Sequence, residues 1–275
     1  MDIDGIVDYI RERQNEDGGY SFCRGAESNA EDTYYAIEIL RMLEVKPRNM
    51  DKTVAFLQSL QYQDGRFDSV KVAYYVTTTL TCLGSKPLKP ISKVVRFSEG
   101  MIEKWESADV YIEAVSEIEN LYLAVEILKT FNSLKNSGDV QKHVLRLQNN
   151  DGSFGSERFS RIASTFYALK TLILLGYNVK TLCDVLRWIR RCEVPSGGFV
   201  SSPEESSTHM EDTYFGVKAL KVLNESPRYP QKTLKFVAGF QNPNGGFRRS
   251  IFLGISDFES TYQAVSVLKT LLTLF

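Results

Sequence analysis

Acidic side chains occur at matching places in the sequence, shortly before an aromatic residue. Glu31-Asp32 and Glu211-Asp212 are each followed by Thr-Tyr, and Glu259 stands at the first of these positions in a third copy. Carboxylates at the start of a helix act as caps and are stabilised by the helix dipole. Several carboxylates that face inward together instead raise one another's pKa and bind a divalent cation or a cationic substrate. The sequence leaves both roles open.

An aromatic residue follows at one fixed position in six aligned segments. The positions are Tyr34, Tyr74, Tyr122, Phe166, Tyr214 and Tyr262. Aromatic residues at helical spacing commonly form core, but buried tyrosine hydroxyls need partners and suit a semi-polar lining. Aromatic ring faces also stabilise a developing allylic cation. Packing and ligand contact therefore both remain possible.

Basic residues lie near the starts of some of the same segments or follow the preceding turns. They are Arg66, Lys71, Arg158, Arg161, Arg248 and Arg249. The planar guanidinium group matches the oxygens of a diphosphate. Each of these residues taken singly also fits an ordinary solvent-exposed position, without any role in binding a diphosphate.

A repeated turn positions all of these residues. Its first copy runs from Gln14 to Tyr20 and reads QNEDGGY, and related segments begin at Gln61, Gln148, Glu193 and Gln241. The copies are about 45 residues apart, with one double interval, which is typical of a repeat architecture. Amphipathic helical patterns precede and follow each copy. The unit is therefore helix, glycine-rich turn, helix, and it must stack on its neighbours to bury its apolar face.

The repeats divide one domain into six units. Their bounds are residues 1–48, 49–89, 90–136, 137–178, 179–228 and 229–275. The first helices are predicted at Ile3 to Arg13, Asp51 to Gln61, Ile91 to Lys104, Val140 to Leu147, Thr181 to Arg191 and Gln231 to Phe240. The third unit lacks an Asp-Gly turn between Glu106 and Ser116, so an irregular or longer connection is expected there.

Composition narrows the class of protein. A net charge of −1 over 275 residues gives no overall field that would attract nucleic acid or an acidic membrane. No apolar segment approaches the ~20 residues of a membrane span, and the amino terminus does not resemble a signal peptide. Four cysteines without a C-x-x-C pair fit reduced thiols, so a cytoplasmic protein is expected.

The turn has the form Gln-x-x-Asp-Gly-x-(Phe/Trp/Tyr) and leads into an aromatic-rich helix. This combination resembles the repeat shared by protein prenyltransferase β subunits and squalene or other class II terpene cyclases, over essentially the whole chain. The resemblance implies an all-α fold, an (α/α)6 toroid with six inner and six outer helices. It also implies an apolar central funnel that holds an isoprenoid in the family.

The resemblance places functional residues at the mouth of that funnel. Protein prenyltransferases hold a catalytic zinc there with Asp, Cys and His, and the matching positions in this chain are Asp212, Tyr214 and Glu259. Only the aspartate is kept, so the acceptor need not be a cysteine, and His209 and Glu259 are the residues left to complete a Zn2+ or Mg2+ site. The predicted catalytic residues are then Asp212, Glu259 and Asp32.

Arg161 and Lys71 are predicted to bind the diphosphate. The aromatic column is predicted to line the tunnel that holds the isoprenoid. The leading interpretation is transfer of a prenyl group from its diphosphate to an acceptor, with a helical-repeat α-subunit-like partner as in the family. A second is a non-catalytic toroid that binds a lipid or a peptide and has lost the zinc site. Terpene cyclisation lacks its Asp-x-Asp-Asp stretch, and a carbohydrate-active toroid stays open as a further alternative.

Overall fold

The computed structural model describes residues 1–107, 117–135, 137–252 and 254–274. Twelve α-helices lie in this part of the chain. They are α1 (Ile3–Arg11), α2 (Ala30–Met42), α3 (Met50–Ser59), α4 (Val70–Cys82), α5 (Ile91–Ser107), α6 (Glu117–Thr130), α7 (Ser137–Arg146), α8 (Arg161–Leu174), α9 (Cys183–Arg191), α10 (Met210–Val222), α11 (Pro230–Ala238) and α12 (Phe258–Leu272). A short 3-10 helix, Val179–Thr181, precedes α9.

The even-numbered helices form a closed inner ring. Each packs on the next, and α12 returns to pack on α2. The odd-numbered helices lie outside, each covering an inner helix. The predicted all-α (α/α)6 toroid is confirmed.

The two sets of helices differ in the residues that they bury. Inner helices bury residues all round because they face both the axis and the outer layer, whereas α9 buries only Val185, Trp188 and Ile189 along one stripe. Polar caps begin several inner helices, and Asn29 accepts from the Asp32 amide at the start of α2. These caps fix where the first turn of each inner helix begins.

The glycine-rich turn has one design in the first, second, fourth and sixth units. In the first unit the Asp17 carboxylate accepts from the Gly19 amide at 2.9 Å, and Gly18 takes a φ of +88°. The chain reverses so that Tyr20, 1% exposed, is buried behind α2. Its amide donates to Thr33 Oγ1 at 3.0 Å. The turn therefore fixes the height at which α2 starts.

The same turn joins each unit to the next. The Gln14 amide group donates to the Arg48 carbonyl at 3.0 Å and to Thr53 Oγ1 at 3.2 Å, across the start of α3. Gly18 lies so close to α3 that a Cβ there would be 2.4 Å from the Lys52 carbonyl carbon. Each turn thus completes the amino-terminal end of the following outer helix.

The predicted outer helices agree with the structure to within a few residues. The structure ends α1 at Arg11 and α3 at Ser59, and it begins α7 at Ser137. In the third unit α5 includes Glu106 and Ser107, and residues 108–116 of the expected irregular connection lie outside the described residues. No helix in the described ranges has the length and apolar character needed to cross a membrane. All four cysteines are free thiols, and only Cys192 is buried.

Candidate functional site

The six predicted aromatic residues meet around the axis of the ring. They are Tyr34, Tyr74, Tyr122, Phe166, Tyr214 and Tyr262. Neighbouring ring centroids in this layer are 5.7 to 6.3 Å apart wherever a contact is formed. Gap-free alignment of the inner helices therefore predicted this layer correctly.

A second aromatic layer, one residue further along the helices, was not predicted. Tyr35 and Tyr75 lie 5.7 Å apart by ring centroid, and Tyr167 lies 5.2 Å from Phe215. The two layers interlock, since Tyr122 contacts Tyr167 at 5.2 Å. Together the two layers line the axis of the ring at this height.

A cavity of about 640 Å³ lies away from the aromatic layers. Arg13, Phe22 and Ser256 are among its lining residues, at the seam between the first and the sixth unit. This cavity opens at the outer turns and does not include the predicted aromatic column.

Tyrosine hydroxyls of the two layers point to opposite ends of the ring. The Tyr75 hydroxyl donates to Glu31 at 2.9 Å, toward the amino-terminal ends of the inner helices. The Tyr122 hydroxyl donates to Glu126 at 2.9 Å, in the opposite direction. The aromatic layers therefore separate two polar surfaces. We call the amino-terminal surface the mouth and the other surface the far end.

The mouth is formed by one column of first-turn residues. Its charged members are Glu31, Lys71, Glu119, Glu211 and Glu259. Lys71 Nζ lies 3.4 Å from Glu119 and 3.8 Å from Glu31, and it bridges these two carboxylates. Partial burial lowers the pKa of Lys71, but Glu119, Glu31 and Glu259 outweigh it and raise the pKa overall. Lys71 therefore stays charged at neutral pH within an acidic surround.

Glu259 has the most perturbed carboxyl group of the mouth. Its side chain reaches solvent, but protein surrounds the carboxyl group on most sides, and the Gln263 amide donates to it at 3.2 Å. Loss of hydration, followed by repulsion from Glu211 and Glu31, raises its pKa to about 7, against the opposing effect of Lys71. Glu259 is thus partly protonated at neutral pH.

Asp212 and Asp32 have structural partners beside the mouth. Asp212, 6% exposed, accepts from Ser160 Oγ at 3.0 Å, and burial raises its pKa to about 6. Asp32 accepts from the Phe22 amide at 3.2 Å and from the Asn29 side chain at 2.7 Å. Both carboxylates brace the start of an inner helix against an adjoining segment. Their predicted catalytic role stays a prediction.

The residues at the implied metal position do not fit the family zinc site. Across residues 1–107, 117–135, 137–252 and 254–274, no group of three or more His, Cys, Asp or Glu side chains is placed to hold a metal ion. Asp212, Glu259 and His209 consequently do not converge as ligands. The Tyr214 hydroxyl, at the cysteine position, donates to the Tyr262 hydroxyl at 3.5 Å instead. We derive no metal-dependent step for this chain.

Arg161 and Lys71 have separate environments. Arg161 forms an ion pair with Asp151 in the turn before α8, and its guanidinium lies 5.3 Å over the Trp188 ring. Lys71 is surrounded by the carboxylates of the mouth. The two predicted diphosphate-binding residues therefore contact different partners, and neither presents its charge to a common site.

Sequence reasoning aligned Glu119 with Glu31 and Glu259 but did not single it out. The signal was present, because four of the six residues in that column are glutamates. The second aromatic layer had a weaker signal, since Leu123 and Gln263 interrupt its column.

The closed ring of helical hairpins defines this protein as an α/α toroid. The chain belongs to the prenyltransferase alpha-alpha toroid domain family, whose profile matches residues 1–160 and 156–274. Protein geranylgeranyltransferase-I from Candida albicans, solved with GGPP, is similar with a TM-score of 0.74 and 15% identity, covering 98% of this chain and 91% of that one. The type II terpene cyclase MstE from Scytonema is similar with a TM-score of 0.62 and 12% identity, covering 98% and 96%. No curated protein matches the chain.

Proposed function

We propose that this chain is a ligand-binding member of the prenyltransferase toroid family whose mouth binds a cationic group, an ammonium or guanidinium presented by a peptide or an amine. The observation that carries the proposal is the cluster of Glu31, Glu119 and Glu259 near Lys71, in the column of first-turn residues that precedes the second aromatic layer. Carboxylates and aromatic ring faces both attract a cation, and attraction is stronger where water is partly excluded.

The negative charge of the mouth also opposes binding of a diphosphate, the headgroup of a prenyl donor. A diphosphate would enter among Glu31, Glu119 and Glu259, and Lys71 is the cation of this first-turn column within the described residues. The negative charge of Glu211 is partly balanced by Arg249, whose guanidinium lies 3.2 Å from it. The mouth therefore favours a positively charged ligand over a negatively charged one.

Binding of a cation should be linked to proton release. A cation beside Glu259 favours the ionised carboxylate, so ligand binding at pH 7 should release about half a proton. We would titrate a lysine-rich peptide and spermidine into the protein by calorimetry in two buffers of different ionisation enthalpy. The proposal predicts binding with a buffer-dependent enthalpy, together with an increase in Tm.

Glu259→Gln should weaken this binding at least several-fold and abolish the proton release. Glu16→Gln, which removes the same charge from an exposed outer turn, should change neither. Equal binding by all three proteins, or stabilisation by geranylgeranyl diphosphate and not by either cation, would contradict the proposal.

Prenyl transfer is the second candidate. Its support is the similarity to a geranylgeranyltransferase over nearly the whole chain. It would require Lys71 to exchange a glutamate for the diphosphate. Stabilisation by geranylgeranyl diphosphate that is lost in Lys71→Ala, and zinc retained through purification but lost in Asp212→Ala, would favour this candidate. A helical-repeat partner subunit would then be expected as well.

The four free thiols suit a reducing compartment, and we propose that the protein works in the cytoplasm.

A further inference from the structure

The cavity between the sixth and the first unit, which we call the seam cavity, is a site that the mouth does not use. One side is formed by the loop after α1, with Phe22 and Arg24, and the other by the last turn and the loop before α12, with Asn244 and Ile255. Its volume of about 640 Å³ is in the range in which proteins bind ligands or inserted side chains. Its lining, within the described residues, includes none of the glutamates of the mouth.

The seam cavity has a positively charged lining. Arg13 and Arg24 belong to it, and in the described ranges no aspartate or glutamate does. Both guanidinium groups lie near a single carboxylate, that of Glu12, which is 3.8 Å from Arg13 and in closer contact with Arg24. Two cations that share one carboxylate leave a surplus of positive charge beside the cavity. The Arg13 side chain is only 11% exposed, so solvent screens its charge less than that of a surface arginine.

Two hydrogen-bond donors of the lining are left for an acidic group. Arg13 donates from Nε to the Phe22 carbonyl at 3.0 Å and from Nη1 to the Tyr9 carbonyl at 2.9 Å, which fixes the guanidinium plane. Its Nη2 has no acceptor within the described residues. Asn244 accepts through Oδ1 from the Ser256 hydroxyl at 2.8 Å, and its Nδ2 has no acceptor in the same part of the chain. A carboxylate is the group that accepts most strongly from a guanidinium.

Apolar side chains are exposed at the edge of the seam cavity. Phe252 is 94% exposed and Ile255 is 72% exposed, more than any other large apolar side chain among the described residues. Ile255 lines the cavity, and Phe252 lies three positions before it in the same loop. Aromatic residues and arginine are enriched in protein–protein interfaces, and exposed apolar groups mark such surfaces. A lipid surface fits less well, because Arg13 is recessed and does not extend to a headgroup.

We propose that the seam cavity is a docking site for a short segment of a partner protein that presents an acidic side chain next to an apolar one. The carboxylate lies beside Arg13 and Asn244, and the apolar side chain packs against Phe22 and Ile255. A segment bound there contacts both the first and the sixth unit, so it should also raise the Tm. This proposal does not depend on cation binding at the mouth.

The test begins with selection from a random dodecapeptide library displayed on phage. Enriched peptides are then labelled with fluorescein and titrated with the protein by fluorescence anisotropy. We expect enrichment of Asp or Glu beside Leu, Ile or Phe, and binding that weakens several-fold when the salt concentration is raised. Selection without such a pair would overturn the proposal. Sedimentation with phosphatidylglycerol vesicles in place of peptide binding would overturn it in favour of a lipid surface.

Variants locate the binding. Ile255→Glu places a carboxylate in the lining and should weaken the enriched peptide about tenfold or more. Leu88→Glu makes the same change at a position that is 62% exposed and outside the lining, so it should bind as the parent does. Arg13→Gln, checked by circular dichroism, should also weaken binding. Equal binding by the parent protein and Ile255→Glu would contradict the assignment.

The two binding proposals fail separately. Glu259→Gln should keep the acidic peptide while it loses the lysine-rich peptide and spermidine. Ile255→Glu should show the reverse pattern. Loss of the acidic peptide in Glu259→Gln would mean that the peptide binds at the mouth, and it would overturn the seam cavity as the docking site.

Discussion

Gln241 and Asp2, 239 positions apart in the chain, exchange a pair of hydrogen bonds. The Gln241 side chain donates to the Asp2 carbonyl at 3.3 Å, and the Asp2 amide donates to Gln241 Oε1 at 3.3 Å. Gln14 makes one half of this pair with the following unit, by donating to the Arg48 carbonyl, and Gln61 makes the other half, by accepting from the Lys89 amide. The repeated glutamine therefore closes the ring by the same chemistry that joins its neighbours.

Gln241→Ala should lower the free energy of unfolding by about 1 kcal/mol, because it removes both bonds to Asp2 and the bond to the Gly245 carbonyl. Urea denaturation followed by circular dichroism would measure the change. Gln231→Ala, at an exposed position of α11, should stay within about 0.5 kcal/mol of the parent protein. A cost no larger for Gln241 than for Gln231 would mean that the glutamine does not hold the seam.

Gly245→Ala tests the same seam by steric means. Gly245 has a φ of +88°, and a Cβ there would lie 2.0 Å from the Gly5 carbonyl oxygen. Gly25 has a φ of +80° but open space around it, so Gly25→Ala shares the backbone strain without the clash. Strain should cost about 1 kcal/mol in both variants, and the clash should add about 2 kcal/mol or more in Gly245→Ala. Equal melting temperatures would show that α1 does not pack on the last turn as described.

The pH dependence of stability should report Glu259. Folding raises the pKa of this carboxyl group from 4.5 to about 7, so the folded protein holds the proton more tightly than the unfolded chain does. The contribution is complete below about pH 4.5 and is lost as the pH rises through about 7. Stability of the parent protein should therefore fall over this interval, and the fall should be smaller in Glu259→Gln.

Burial also raises the pKa of Asp212, to about 6. The quantity to compare is therefore the difference in free energy of unfolding between the parent protein and Glu259→Gln, measured at pH 5 and at pH 8. Glu16→Gln serves as the control, and it should show the parent's dependence. A profile of Glu259→Gln that matches the parent's would show that Glu259 is not the group that titrates.

Tyr75→Phe should test the second aromatic layer. The Tyr75 hydroxyl lies between Glu31 and the Tyr35 hydroxyl, which is 3.3 Å away. Removing it leaves the buried Tyr35 hydroxyl without that neighbour, and we expect a loss of about 1 kcal/mol in urea denaturation. Tyr62→Phe, on the exposed second turn, should leave the stability unchanged. A neutral Tyr75→Phe would indicate that water reaches this layer.

The sequence was sufficient to predict the hairpins, the ring order and one aromatic layer, because Tyr34 and its equivalents recur at a fixed distance from the glycine turns. It was not sufficient to predict that Tyr35, Tyr75 and Tyr167 would form a second aromatic layer, since adjacent positions on a helix point 100° apart and only packing decides which of them turns inward. Asp212 and Asp32 illustrate a related limit. They stand next to Glu211 and Glu31, yet Asp212 accepts from the Ser160 hydroxyl and Asp32 accepts from the Phe22 amide.

The repeated glutamine and glycine contacts also determine how the protein is stabilised as a whole. In an open array of hairpins each joint adds its own increment and the two terminal repeats lack a neighbour. Here the last joint forms within a molecule whose other joints already hold its two halves together, at a high effective concentration. Weakening any one joint should therefore loosen the whole circle, and unfolding should be a single cooperative event rather than peeling from one end.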